Sequence, residues 1–80
     1  MEESYSKLAN AVIIQAVKDY RAAYRRYMRK PDSKEALHEV RRLERFFRSP
    51  WYEMLTDVDG KLLIMKIQEM ERQRAGRKFS

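Results

Sequence analysis

Only four residues in this 80-residue chain resist a helix strongly: Pro31, Pro50, Gly60 and Gly76. In a helix interior glycine costs about 1 kcal/mol and proline about 3 kcal/mol relative to alanine. The chain is therefore divided into long stretches that meet no such obstacle. It also has too few turn residues for a many-stranded sheet, which needs glycine, proline, asparagine or aspartate at each reversal. The apolar residues repeat at steps of three and four rather than two, the period of a helix face. Position and period together predict an all-α chain.

Residues 4–29 form the first stretch, with Ser4 or Ser6 as a candidate cap. Leu8, Val12, Ala16, Ala23 and Tyr27 fall on one stripe, and Ile13, Val17, Tyr20 and Tyr24 on a second beside it. So broad an apolar face predicts a helix buried against two neighbours. Pro31 ends it, since proline drives Lys30 out of the α region and offers no N–H. Asp32 and Glu35 then have the spacing of a capping box, opening a second helix to about Phe47. Its stripe is Ala36, Val40, Leu43 and Phe47, flanked by Leu37 and Phe46. Ser49-Pro50 is the next start signal, serine as cap and proline at the first helical position. A short third helix to about Thr56 is expected to turn Trp51, Met54 and Leu55 inward. A fourth, from Gly60 to Arg74, places Leu63, Ile67 and Met70 inward, with Leu62, Ile64 and Met65 beside them. Ala75-Gly76 is its expected C-cap, and residues 77–80 a frayed basic tail. The expectation is one domain over residues 1–80: a small bundle of three to four helices, long helix 1, antiparallel helix 2, short helix 3 and helix 4.

Composition narrows the function. The absence of cysteine excludes disulfides, thiolate metal sites and thiol nucleophiles, and a single histidine leaves no zinc triad. His38 falls in the charged register of the second helix, where a surface role is expected. Asp57-Val58-Asp59-Gly60 superficially suggests a calcium loop. With Gly60 at the sixth position, however, Leu55 and Lys66 fall where an EF-hand needs oxygens. A turn with Asp59 capping the last helix and Asp57 accepting backbone N–H groups fits better. Catalytic residues, metals and cofactors are all expected to be none: the acids are scattered, there is no glycine-rich phosphate loop, and Ser49 serves as a cap. The acidic start Met1-Glu2-Glu3 is unlike a signal peptide, and no apolar run approaches the ~20 residues that cross a bilayer. A cytoplasmic protein with no membrane partner is expected.

The surplus charge carries the functional reading. Eighteen lysines and arginines against twelve acids give +6. Arg21, Arg25, Arg26, Arg29 and Lys30 lie within ten residues that hold no acid. Arg21, Arg25 and Arg29 share one helix face, and Arg41, Arg45 and Arg48 share another. In an antiparallel hairpin the two rows would run on from each other for ~20 Å at about 1.5 Å per residue. Guanidinium groups so spaced suit phosphate oxygens, and Tyr20, Tyr24 and Tyr27 interleave rings that could stack on bases. Glu39 and Glu44 would neutralise part of the second row. A helix-turn-helix docking over residues 33–56 is rejected, because residues 49–60 sum to −3 and phosphates would repel them.

The run Glu44-Arg45-Phe46-Phe47-Arg48-Ser49-Pro50-Trp51-Tyr52-Glu53-Met54-Leu55-Thr56-Asp57-Val58-Asp59-Gly60-Lys61-Leu62-Leu63-Ile64 resembles a signature of uncharacterised small helical proteins of Gram-positive phages and mobile elements. Residues 13–20 add a weaker match. The resemblance implies an accessory protein in an infected or element-bearing cell, and it assigns no functional residue. Two functions fit. One is non-specific nucleic-acid binding through the arginine rows. The alternative is a protein-binding module, an inhibitor of a host defence or nucleic-acid-handling protein. In either, Arg21, Arg25, Arg26, Arg29, Lys30, Arg41, Arg45 and Arg48 make the contact. Trp51 is expected in the core, with Trp51 or Tyr52 as the alternative aromatic anchor for a partner. A homodimer could cover surplus apolar surface of the first helix.

Overall fold

The structure, a computed structural model, describes residues 2–77, with side chains over 7–76. The described residues form four helices and no strand: α1 (Glu2–Arg29), α2 (Lys34–Phe47), α3 (Pro50–Leu55) and α4 (Gly60–Arg77). The all-α expectation holds, and the element order follows the proline and glycine punctuation. α1 begins at Glu2 and passes through Ser4 and Ser6, so neither serine caps it.

The turn after α1 is closed by the Lys30 carbonyl accepting from the Ser33 N–H at 3.0 Å. The cap of α2 is Ser33 rather than Asp32: its backbone is extended, and its hydroxyl accepts from the Ala36 N–H at 3.2 Å. α2 then returns along α1. Tyr20 meets Glu44, and Arg26 shares a cleft with His38, so positions rise on one helix as they fall on the other. Ser49 caps α3 as expected, its hydroxyl accepting from the Tyr52 N–H and donating to the Phe46 carbonyl at 2.6 Å. The same oxygen thereby closes the end of α2 and opens α3.

α4 starts beside the end of α2 and runs parallel to α1, Gln68 reaching Tyr20 and Glu71 reaching Arg21 and Arg25. Asp59 caps it, one carboxylate oxygen accepting from the N–H groups of Lys61 and Leu62. In the turn before it the Thr56 hydroxyl, not Asp57, accepts from the Val58 N–H. Gly60 is there for a close approach: a Cβ on it would stand 1.8 Å from the Phe47 carbonyl oxygen. No C-cap forms at Ala75-Gly76, because α4 continues through both to Arg77. Of the predicted basic tail, residues 78–80 lie outside the described residues.

Ala16, Tyr20, Ala23, Val40, Leu43, Phe47, Tyr52, Ile64 and Ile67 make the core. Its centre is aromatic: Phe46, Phe47 and Tyr52 meet edge to face with centroids 5.4–5.8 Å apart, and Tyr20 meets Phe47 at 5.9 Å. Such tilted contacts place positive ring edges on negative ring faces. The α2 stripe is buried as predicted. The broader faces are not: Leu8, Val12, Met54 and Met70, expected inward, and Leu62 and Met65, expected to widen the α4 face, are exposed. Ile64, expected only to widen the α4 face, is in its core. Trp51 is also corrected. It is 61% exposed while its neighbour Tyr52 is 1% exposed, because successive helix positions point about 100° apart and the ring of Tyr52 fills the corner against Phe46 and Phe47.

Candidate functional site

Arg21 and Arg25 stand one turn apart on the flank of α1 that faces α4. Between them α4 delivers Glu71, the one charged side chain buried among the described residues. Arg21 Nε donates to Glu71 Oε2 at 2.9 Å. Arg25 Nε lies 2.8 Å from Oε1, an ion pair whose N–H is poorly aligned for a hydrogen bond. A buried carboxylate is tolerated only with such partners. The two arginines therefore answer to an acid some 50 residues away, and the absence of acid within residues 21–30 is made good by the tertiary fold. The sequence reading missed Glu71. Its signal was there: Glu71 sits on the apolar stripe of α4 with Ile64 and Ile67, where a charge needs a reason.

A second polar seam joins α1 to both α2 and α4. The Tyr20 hydroxyl donates to Glu44 Oε2 at 2.7 Å and accepts from Gln68 Nε2 at 2.9 Å. Burial, and then the bond to the Glu44 carboxylate, push the phenol well above its ordinary pKa. Tyr20 is sealed in the core, so it offers no ring for stacking on a base. Tyr24 and Tyr27 are half-buried and pack in series along α1. Tyr52 is likewise unavailable to a partner. Its hydroxyl is buried with no hydrogen bond, and burial, then the charge of Asp59, raise its pKa.

The remaining cations are placed differently. Arg26, Arg29, Lys30, Arg41, Arg45 and Arg48 are all exposed. The ion pairs among the described residues involve Arg21 and Arg25 with Glu71, and Arg42 with Glu39. The Arg42 guanidinium hydrogen-bonds Glu39 and holds its carboxyl below the usual range. Glu44, expected to neutralise part of the second arginine row, accepts from Tyr20 and makes no ion pair with that row. The six exposed cations thus make no ion pair among the described residues, and the first row is divided: Arg21 and Arg25 turn to α4, and Arg29 does not.

His38 is exposed, in an open groove between α1 and α2 that is lined by Asp19, Glu35 and Glu39 together with Arg26 and Lys34. The described residues contain no group of three His, Asp or Glu side chains able to hold a metal. No helix among them is long and apolar enough to cross a membrane. No family model, curated protein or solved structure matches the chain.

Proposed function

We propose that this protein binds nucleic acid without reading its sequence, through the cationic flanks of the α1–α2 hairpin. The observation that carries the reading is a set of six exposed cations that make no ion pair among the described residues: Arg26 and Arg29 on α1, Arg41 and Arg45 on α2, and Lys30 and Arg48 just past the ends of those helices. Rows of guanidinium groups on rigid helices suit phosphate oxygens, and binding would be driven by the release of condensed counterions. Docking of a recognition helix is no part of the proposal, since α3 has six residues and carries exposed Glu53. Nor is catalysis. The phage or mobile-element setting implied by the resemblance belongs to the same proposal.

The test is fluorescence anisotropy with labelled single- and double-stranded oligonucleotides over a salt series. Log affinity should fall linearly with log salt concentration. Replacing Arg26, Arg29, Arg41 and Arg45 together by glutamine should make the slope shallower by about one for each phosphate no longer neutralised. No binding to either oligonucleotide at low salt would sink the proposal. A second reading, a protein-binding module, is favoured by Trp51, whose 61% exposure puts a residue type prominent in binding hot spots on the surface. Capture of a partner that survives nuclease treatment and disappears in Trp51→Ala would support it.

A further inference from the structure

We propose that Arg21 and Arg25 form a phosphate-binding fork whose geometry is set by Glu71, a proposal that rests on the nucleic-acid reading above for its natural ligand. Both arginines turn their Nε toward one buried carboxylate, yet their side chains remain 33% and 42% exposed. Arg25 Nε is sealed from solvent, while the terminal nitrogens of both side chains are neither sealed nor hydrogen-bonded within the described residues. A guanidinium group is planar, so holding Nε inward fixes the direction of the outward edge. Two such edges one helical turn apart are neighbours on the α1 surface, close enough for both to donate to one phosphate group. An ordinary surface arginine loses rotamer freedom when it grips an anion. Here folding has already removed much of that freedom, so binding does not remove it a second time.

Glu71 is accordingly a positioning residue, and its effect has a sign that separates it from simple electrostatics. It contributes one negative charge beside the two arginines. If charge alone governed binding, Glu71→Gln would bind a polyanion more tightly. If Glu71 aims the fork, the same variant binds more weakly although its net charge has risen by one.

The experiment uses the full chain. Glu71→Gln is compared with the unmodified protein by anisotropy on a labelled double-stranded oligonucleotide at fixed low salt, with circular dichroism as the folding control. The expected result is affinity about three- to tenfold weaker, the scale of side-chain freedom lost on immobilisation. Equal or tighter binding by a folded variant would overturn the proposal. Should Glu71→Gln not fold, Arg21→Lys and Arg25→Lys keep the charge while replacing the fork by a point charge. Each should lose affinity to a similar extent, and unchanged affinity in both overturns the proposal.

A separate arm titrates inorganic phosphate and follows the arginine Nε–Hε signals by nitrogen-15 NMR. Those of Arg21 and Arg25 should shift, and those of Arg29 and Arg45 should move less. Phosphate shifts without oligonucleotide binding would leave the fork standing and remove the nucleic-acid reading. Oligonucleotide binding that leaves the Arg21 and Arg25 signals unmoved would remove the fork and leave that reading.

Discussion

Gly60 has no room for a methyl group. Its Cβ would stand 1.8 Å from the Phe47 carbonyl oxygen and 2.9 Å from the carbonyl carbon, both backbone atoms that cannot swing aside. Gly60→Ala must push α4 away from the end of α2, and a loss of about 1–3 kcal/mol or more is expected, read as a fall in melting temperature. Gly76 is the contrast, with nothing within 4 Å of its would-be Cβ. Gly76→Ala should be neutral or stabilise by up to about 1 kcal/mol through helix propensity. Among the arginines the same residue type divides by partner. Arg21→Gln removes a hydrogen bond to a buried carboxylate and should cost about 1.5–3 kcal/mol. Arg45→Gln, at an exposed unpaired site, should stay within about 0.5 kcal/mol. Chemical denaturation of the two variants side by side measures the difference, and equal stability would mean that Glu71 is satisfied without Arg21.

At the level of the element, α3 shows how a six-residue helix can hold a corner. It is too short to be stable from its own hydrogen bonds. What holds it is Ser49, shared between the end of α2 and the start of α3, and the ring of Tyr52 packed between Phe46 and Phe47. Tyr52→Ala should therefore cost about 3–5 kcal/mol, as for other buried aromatics, enough to unfold so small a domain. Trp51→Ala, one position earlier and exposed, should leave the melting temperature nearly unchanged. Thermal unfolding by circular dichroism checks the pair, and a large loss in Trp51→Ala would return that ring to the core.

For the whole molecule, the seam around Tyr20 ties folding to alkaline pH. The phenol's ordinary pKa is 10.0, and in the folded chain burial and the Glu44 carboxylate raise it. The unfolded chain therefore gives up this proton first. The stability contributed by neutral Tyr20 is complete below about pH 10 and is lost as pH rises beyond it. Tyr52, raised in the same direction, adds to the trend. Tyrosinate absorbance and helical circular dichroism should thus change together for these two residues in an alkaline titration, and ionisation of all the tyrosines with helicity intact would contradict it. Acid has a smaller effect through Glu39. Arg42 depresses its folded pKa, so this contribution is present at neutral pH and lost as pH falls through that depressed value. The pair is solvent-exposed and hence weak.

What the sequence determined by itself is the helices: their number, order and most of their ends. Those rest on local chemistry, namely proline at positions 31 and 50, the serine at 49, the aspartate at 59 and the apolar period. The arginine rows were legible for the same reason, as repeats on one helix. Tertiary structure alone decided which part of each broad apolar face is covered, since an 80-residue chain cannot bury all of it. Leu8, Val12, Met54, Leu62, Met65 and Met70 lost that competition, and Trp51 yielded the corner to Tyr52. It also decided that Arg21 and Arg25 belong to Glu71. A helix repeats every 3.6 residues and carries no information about an acid 50 positions away. Only the parallel docking of α4 on α1 brings the three side chains together.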